Sequence, residues 1–399
     1  MNVNKDMNYA FALSRKCLWL IGVWPDPQIS LSDFRRRNIR VVFVACCLSF
    51  YLILPQVRNM IRNWGNVPRM VEQFLSVNYG LMALFKLITT FYYGETLRTL
   101  MTSVMNDWLT SKSDWERSTM LKIAKRGRSL SLKCYFLLTC GILSHVTICF
   151  IKFRRSMHQP HRILVYQFNY PYNSQKSPNY EITFFIQLCG SIFAALTNCT
   201  VDSFVSIFLL HVCAQLINLR VALNNTIDEL ANRTMSTSRF KEGLATIVLR
   251  HEHLIKNAKT INDCYSKVLF QQMLATTFQL CFQSFQIYTI ITDHTSKIPI
   301  IKMAFLFFYT GIVLTPFYIY CYTAEKLFTE SINMAYGVYQ CNWYDLPSKN
   351  AKDLMIIVHR SRIPLKLTAE SFGVFSMELF GNTIKTSMGY LSALLAMKD

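Results

Sequence analysis

Few side chains in this sequence are spaced for covalent chemistry. His251-Glu252-His253 holds two imidazoles, but residues two apart on a helix face different ways, so they are not zinc ligands on one face. There is no Ser-His-Asp order, no P-loop and no metal-ligating cluster, so catalysis has no candidate site and no cofactor is implied. The thirteen cysteines form no C-x-x-C pair and sit in or beside apolar runs, which reads as free buried thiols rather than a disulfide framework. What remains is polar chemistry set into apolar runs. Glu72, Lys86, Asp202 and Lys385 all lie in such runs, where a charge is costly and must face protein or water.

The densest case is residues 371–399, "SFGVFSMELFGNTIKTSMGYLSALLAMKD". They read as one long apolar helix with Asn382, Thr383, Lys385, Thr386, Ser387 and Tyr390 inside it. Leu379, Thr383, Thr386, Tyr390, Ala393 and Met397 recur at steps of four and three, so they share a face. That face is polar in its first half and apolar in its second. It suits a pore wall, with hydroxyls that meet water and an apolar ring that closes by dewetting. It equally suits a packing helix whose hydroxyls bond back to its own carbonyls.

Composition sets what must carry these residues. Of 399 residues 52% are hydrophobic and 16% charged, against roughly a quarter charged in soluble domains. The net charge of +19 has a natural place in cytoplasmic loops facing anionic lipid. Nucleic acid is not an expected partner, because the basic residues are scattered and no binding motif accompanies them. Seven segments are long enough to span a bilayer: 41–60, 70–93, 131–151, 182–210, 268–292, 300–322 and 372–397. With no internal repeat and no signal peptide, the chain reads as a single all-α, polytopic membrane domain over 1–399.

The Lys and Arg bias, including Arg35-Arg36-Arg37, Lys125, Arg126, Arg239 and Lys256, favours a cytoplasmic N-terminus and an extracellular C-terminus. Lys152, Arg154, Arg155 and Arg162 weigh the other way. Leu216, Leu219, Leu223, Ile227 and Leu230, then Leu244, Ile247, Val248, Leu254, Ile255 and Ile261, predict that the fourth and fifth helices run on into the cytoplasm and pack together. The sixth is expected to continue toward Tyr339.

From here the chain resembles the insect odorant receptor family, in particular its tuning subunits. "TESINMAYGVYQCNWYDLP", with Tyr339, Trp343 and Tyr344, is similar to the tail of the family's sixth helix. "MIIVHRSRIPLKLTAESFGVFSMELFGNTIKTSMGYLSAL" resembles its last stretch, through Arg360, Ser361, Pro364, Leu367, Thr368, Ala369, Phe372, Lys385, Thr386, Ser387 and Tyr390. Weaker matches are "GVWP" at 22–25, Asp202 with His211 and Leu219, and His253-Leu254. Glu370-Ser371 stand where the family usually has Gly-Lys.

The resemblance implies a seven-span subunit of an odorant-gated non-selective cation channel, four subunits around one pore lined by the last helix. It implies an obligate odorant receptor co-receptor in a heterotetramer, a small volatile organic ligand, surrounding membrane lipid, and the plasma membrane of olfactory sensory neurons. It assigns pore and gate to Thr383, Thr386, Tyr390, Ala393 and Met397. Ala393 is smaller than the co-receptor's usual residue there, so the co-receptor is expected to supply most of the gate.

The odorant is expected in the outer half of the bundle, between spans two and six. Candidates by depth are Phe74, Val77, Asn78, Ser144, His145, Ile148, Phe185, Phe282, Phe285, Gln286 and Phe305. For each aromatic, packing is the competing role, and His145 could simply bond a neighbouring helix. The alternatives are a G-protein-coupled receptor, which lacks its Asp-Arg-Tyr and Asn-Pro-x-x-Tyr motifs here, and a transporter, which lacks its repeats.

Overall fold

The computed structural model describes residues 3–27, 31–65, 67–111, 113–156, 162–168, 170–292 and 300–396. Within them the chain is helical. α1 is Val3–Ile21, α2 Leu31–Cys46, α3 Leu54–Arg62, α4 Val67–Tyr92, α5 Gly94–Thr110 and α6 Asp114–Ser156. α7 is Asn179–Ala231, α8 Thr237–Thr292, α9 Ile300–Gln340, α10 Ser348–Asp353, α11 Met355–Ser361 and α12 Met377–Ala396. The sole β feature among the described residues is an antiparallel bridge between Thr368 and Val374.

α2 and α3 are one rod joined by a π-helical stretch, Cys47–Ile53. Pro55 explains the widening. It has no N–H to give the Tyr51 carbonyl one turn back. The Leu54 N–H reaches back five residues to Ser49 instead, and the Tyr170 hydroxyl donates to the Tyr51 carbonyl oxygen at 3.1 Å.

α6, α7, α8 and α9 have 43, 53, 56 and 41 residues. At about 1.5 Å per residue, α7 is about 80 Å long, well beyond a hydrocarbon core of about 30 Å. The predicted extensions are present: Leu216, Leu219, Leu223 and Ile227 of α7 are buried, as are Leu244, Ile247, Leu254 and Ile261 of α8. Residues 94–110 and 114–130 are also helical, as α5 and the first part of α6. Arg162 pairs with Glu181 at 2.9 Å and lies over the Tyr180 ring, so this misplaced cation is locally compensated.

Five stretches are long and apolar enough to cross a membrane: 33–62, 73–92, 114–156, 179–231 and 306–340. They carry the first four and the sixth expected spans. α8 and α12, which carry the fifth and seventh, do not reach that hydropathy among the described residues. The reason for α8 is its glutamines: Gln272, Gln279 and Gln283 are buried against other helices.

α7 is the axis of the bundle, with residues 197–216 buried on every face. It packs against α1, α4, α6, α8 and α9. Asp202, 2% exposed, is therefore shielded from bulk solvent and must be satisfied by protein. Lys86 of α4 meets it at 2.7 Å (Oδ1) and 2.8 Å (Oδ2). The Lys86 ammonium also donates to Gln272 Oε1 of α8 at 2.7 Å, and Tyr320 of α9 donates to Asp202 Oδ1 at 2.8 Å. One ion pair thus ties four helices.

Removing either partner strands the other charge, which typically costs about 3–5 kcal/mol. Lys86→Met and Asp202→Leu should each lower the melting temperature of purified protein sharply. The double variant should lose much less than the sum of the two, and additive losses in a thermal-shift double-mutant cycle would show that the pair does not act as a unit.

Candidate functional site

A small cavity opens where α4, α6, α7, α8 and α9 meet. Tyr79 and Met82, Leu138, Asn198, Gln279 and Ile312 line it, and Lys86, Asp202 and Gln272 border it. Its free space is about 30 Å³, room for about two waters.

None of the ten ligand candidates whose side chains are described lines this cavity. On α4 and α8, the Phe74 ring meets Phe282 edge-on at 5.1 Å and Phe278 at 6.3 Å. Asn78 Nδ2 donates to the Ala275 carbonyl at 3.2 Å, Val77 and Phe285 are buried, and Gln286 is half-buried. On α6, His145 lies 3.1 Å from the Ser191 hydroxyl of α7 and stacks on Tyr166. Ser144, Ile148 and Phe185 are exposed on the outside of the bundle. Successive helical residues turn by about 100°, so Ser144 and His145 do not both face inward. The Phe305 side chain lies outside the described residues.

The cavity involves the five helices expected for the ligand, but one to three turns deeper. On α4 it begins at Tyr79 rather than Phe74; on the antiparallel α8 it is reached by Gln272 and Gln279 rather than Phe282. The available signal was the opposite charges of Lys86 and Asp202, each inside an apolar run.

The approach to α12 departs from the sequence reading. Residues 371–376 are not helical, and the helix starts at Met377. A hairpin precedes it: Ala369 N–H donates to the Gly373 carbonyl and Phe375 N–H to the Leu367 carbonyl, both at 2.8 Å. α8 grips this hairpin. Asn262 Oδ1 accepts from the Thr368 N–H at 2.7 Å, and the Ser266 hydroxyl donates to Glu370 Oε1 at 2.8 Å. α9 caps the helix itself, with Glu325 Oε2 accepting from the Met377 N–H at 2.6 Å.

Along α12 the predicted face splits. Thr383 and Ser387 are buried; their hydroxyls bond back to Leu379 and Thr383 carbonyls at 2.8 Å, and Ser387 also lies 3.2 Å from the Thr277 carbonyl of α8. These two match the packing alternative. Thr386, Tyr390 and Ala393 are exposed, as are Asn382 and Lys385. Met397 lies outside the described residues.

A family profile described as 7tm Odorant receptor matches residues 66–388. The chain belongs to this odorant receptor family. It is 21% identical to odorant receptor 13a of Drosophila melanogaster over 96% of its own length and 95% of that protein. Its match to odorant receptor 9a of the same fly, 25% identical, spans 56% of this chain and only about half, 54%, of that protein. It is 22% identical to the Drosophila melanogaster odorant receptor coreceptor over 38% of its length. Its fold is that of the insect olfactory receptor OR5 from Machilis hrabei in complex with eugenol: TM-score 0.82 at 13% identity, covering 98% of this chain and 100% of that one. The G-protein-coupled alternative is not favoured.

Two sequence oddities of this odorant receptor now have physical accounts. His251 is buried in the α8 extension, and burial, with Arg360 nearby, pushes its pKa down to about 4. It is a neutral packing residue, and no metal cluster forms among the described residues. Glu370 sits at φ +51°, the left-handed region where glycine carries no Cβ penalty. Its carboxylate contact with Ser266 offsets part of a strain of about 1–2 kcal/mol.

Glu370→Gly should therefore leave the melting temperature nearly unchanged, since strain relief and the lost hydrogen bond are similar in size. Glu370→Val keeps the strain, loses the bond and should melt several degrees lower; equal melting of the two variants would remove the strain argument.

Proposed function

We propose that this odorant receptor is an odorant-gated, non-selective cation channel subunit that assembles with an odorant receptor co-receptor in the plasma membrane of olfactory sensory neurons. In this reading the chain forms a single seven-span domain, with its N-terminus in the cytoplasm and its C-terminus outside. The bias of Lys and Arg toward the segments at the α7–α8 extensions supports that orientation.

The carrying observation is the polar open face of α12. One side of the helix packs on α8 through Thr383 and Ser387, while Asn382, Lys385, Thr386 and Tyr390 are left uncovered. Hydrocarbon does not suit those groups, so water in a central pore does. Ala393, further along, leaves a small apolar step for a gate that bulkier partner subunits complete, with Met397 assigned to the same ring.

A second surface supports a protein partner. Tyr339, Trp343, Tyr344, Met355, Ile356 and Ile363 are exposed at the far end of α9 and on α10–α11 and their flanks. All lie outside the expected spans, so lipid does not cover them, and apolar clusters of this kind mark interfaces. The odorant enters between spans two and six. Phe74 and Phe282 form the upper wall and the five-helix cavity the floor, with His145 on the α6–α7 side.

Expression with and without the co-receptor, with G-protein signalling blocked, tests the assignment. Odorant-evoked cation current should require the partner and survive the block; current that needs G proteins, or that is as large without the partner, would refute it.

Replacing Ala393 with Ser should raise resting current or change ion selectivity in part, because a polar side chain lets the constriction hydrate. Unchanged resting current and selectivity at normal surface expression would take Ala393 out of the gate.

A further inference from the structure

Around the five-helix cavity the ion-pair cluster is matched. Lys86 gives its protons to Asp202 and Gln272, and Asp202 is met again by Tyr320, so that cluster is complete. Asn198 of α7 is different. It is 4% exposed and lines the cavity. Its Nδ2 donates to the Tyr79 carbonyl at 3.2 Å. A carbonyl oxygen only accepts, so this bond fixes which end of the amide is nitrogen. The other end, Oδ1, is buried without a partner among the described residues. An unmet buried acceptor costs about 1–3 kcal/mol. The neighbouring wall is largely carbon, from Met82, Leu138, Ile312 and Val313. The free space beside Asn198 is about 30 Å³, and Oδ1 itself is covered in this state.

We propose that Asn198 is the specificity-determining polar group of the odorant site and selects small volatile ligands that carry a hydroxyl donor. The inference rests on the reading of the chain as an odorant-gated subunit. As the cavity widens around a ligand, the ligand's hydroxyl donates to Oδ1 and supplies the hydrogen bond that this acceptor lacks. An ether, ester or ketone oxygen has no proton to give, so it leaves the acceptor bare. The carbon chain of the ligand lies against Met82, Leu138 and Ile312. An alkyl chain is larger than the closed space, so binding parts α4 and α8, and α8 is the helix that holds α12 through Ser387 and the 368–370 hairpin.

The experiment co-expresses the chain with the co-receptor and records currents evoked by 1-butanol, 1-pentanol and 1-hexanol and by their methyl ethers. A direct co-receptor agonist reports assembled channels in each case. Wild-type protein should respond to the alcohols at concentrations about tenfold lower than to the ethers, the factor that one neutral hydrogen bond supplies. Asn198→Ala should erase that gap by weakening the alcohols alone, and Asn198→Ser, which keeps an acceptor, should retain part of it. The proposal is overturned if wild-type alcohols and ethers are equally potent, if ligands without a donor are the sole activators, or if Asn198→Ala weakens both series alike. The wild-type comparison decides even where a variant fails to assemble. If the co-receptor agonist drives current and no volatile of any class does, the receptor reading fails, and this inference with it.

Discussion

A charge pair buried between four helices holds this bundle in register. Asp202 lies in the stretch of α7 that is buried on all sides, and its carboxylate is met by Lys86 of α4 and Tyr320 of α9, with Gln272 of α8 completing the ammonium's shell. Apolar packing between membrane helices is forgiving, because lipid tails solvate leucine as well as another helix does. An ion pair is not forgiving: a shift of one helical turn would leave a naked charge in a medium that cannot screen it. The depth of four helices relative to one another therefore follows from a few oxygen and nitrogen atoms. The cavity beside the pair exists because those polar groups and the carbon walls around them do not fill the same shape.

The last helix is attached by different means. Its start is held by side chains from α8 and α9, on a hairpin that needs a left-handed residue at 370. Its middle is held by Ser387 against α8. Among the described residues nothing else covers its polar side. Displacement of α8 at the cavity is thus passed to α12 at two heights, about 20 residues apart along the chain. In the proposed reading, these hydrogen bonds to α8 are the route from a bound molecule to the pore.

The polar face of α12 shows where pattern reading reaches its limit. Thr383 and Thr386 are three apart and share a face in any helical wheel. In the fold Thr383 bonds back to Leu379 and is buried, while Thr386 is open. The boundary between the packed and open sides runs between them, and only the position of α8 decides where it falls. The same holds for the ligand candidates: the set of helices was legible, but the cavity lies deeper along them, and Ser144, Ile148 and Phe185 turn outward because azimuth about a helix axis is set by neighbours.

The sequence alone determined the class of structure, because lipid demands that backbone groups be paired within each segment, and runs of apolar residues of membrane length leave helices as the economical answer. It also determined that α7, α8 and α9 would outrun the bilayer, since their heptad-like leucines continue past the apolar runs, and the last third carried the family. Only the tertiary structure decided which charges pair and which amide is left unmet. It also decided that Glu370 must take a left-handed turn and that helix begins at Met377 rather than Phe372. Those outcomes depend on contacts between residues about 50 or more apart in the chain, as with Lys86 and Asp202, Asn262 and Thr368 or Glu325 and Met377. Local periodicity carries no information about such pairs until the helices are placed side by side.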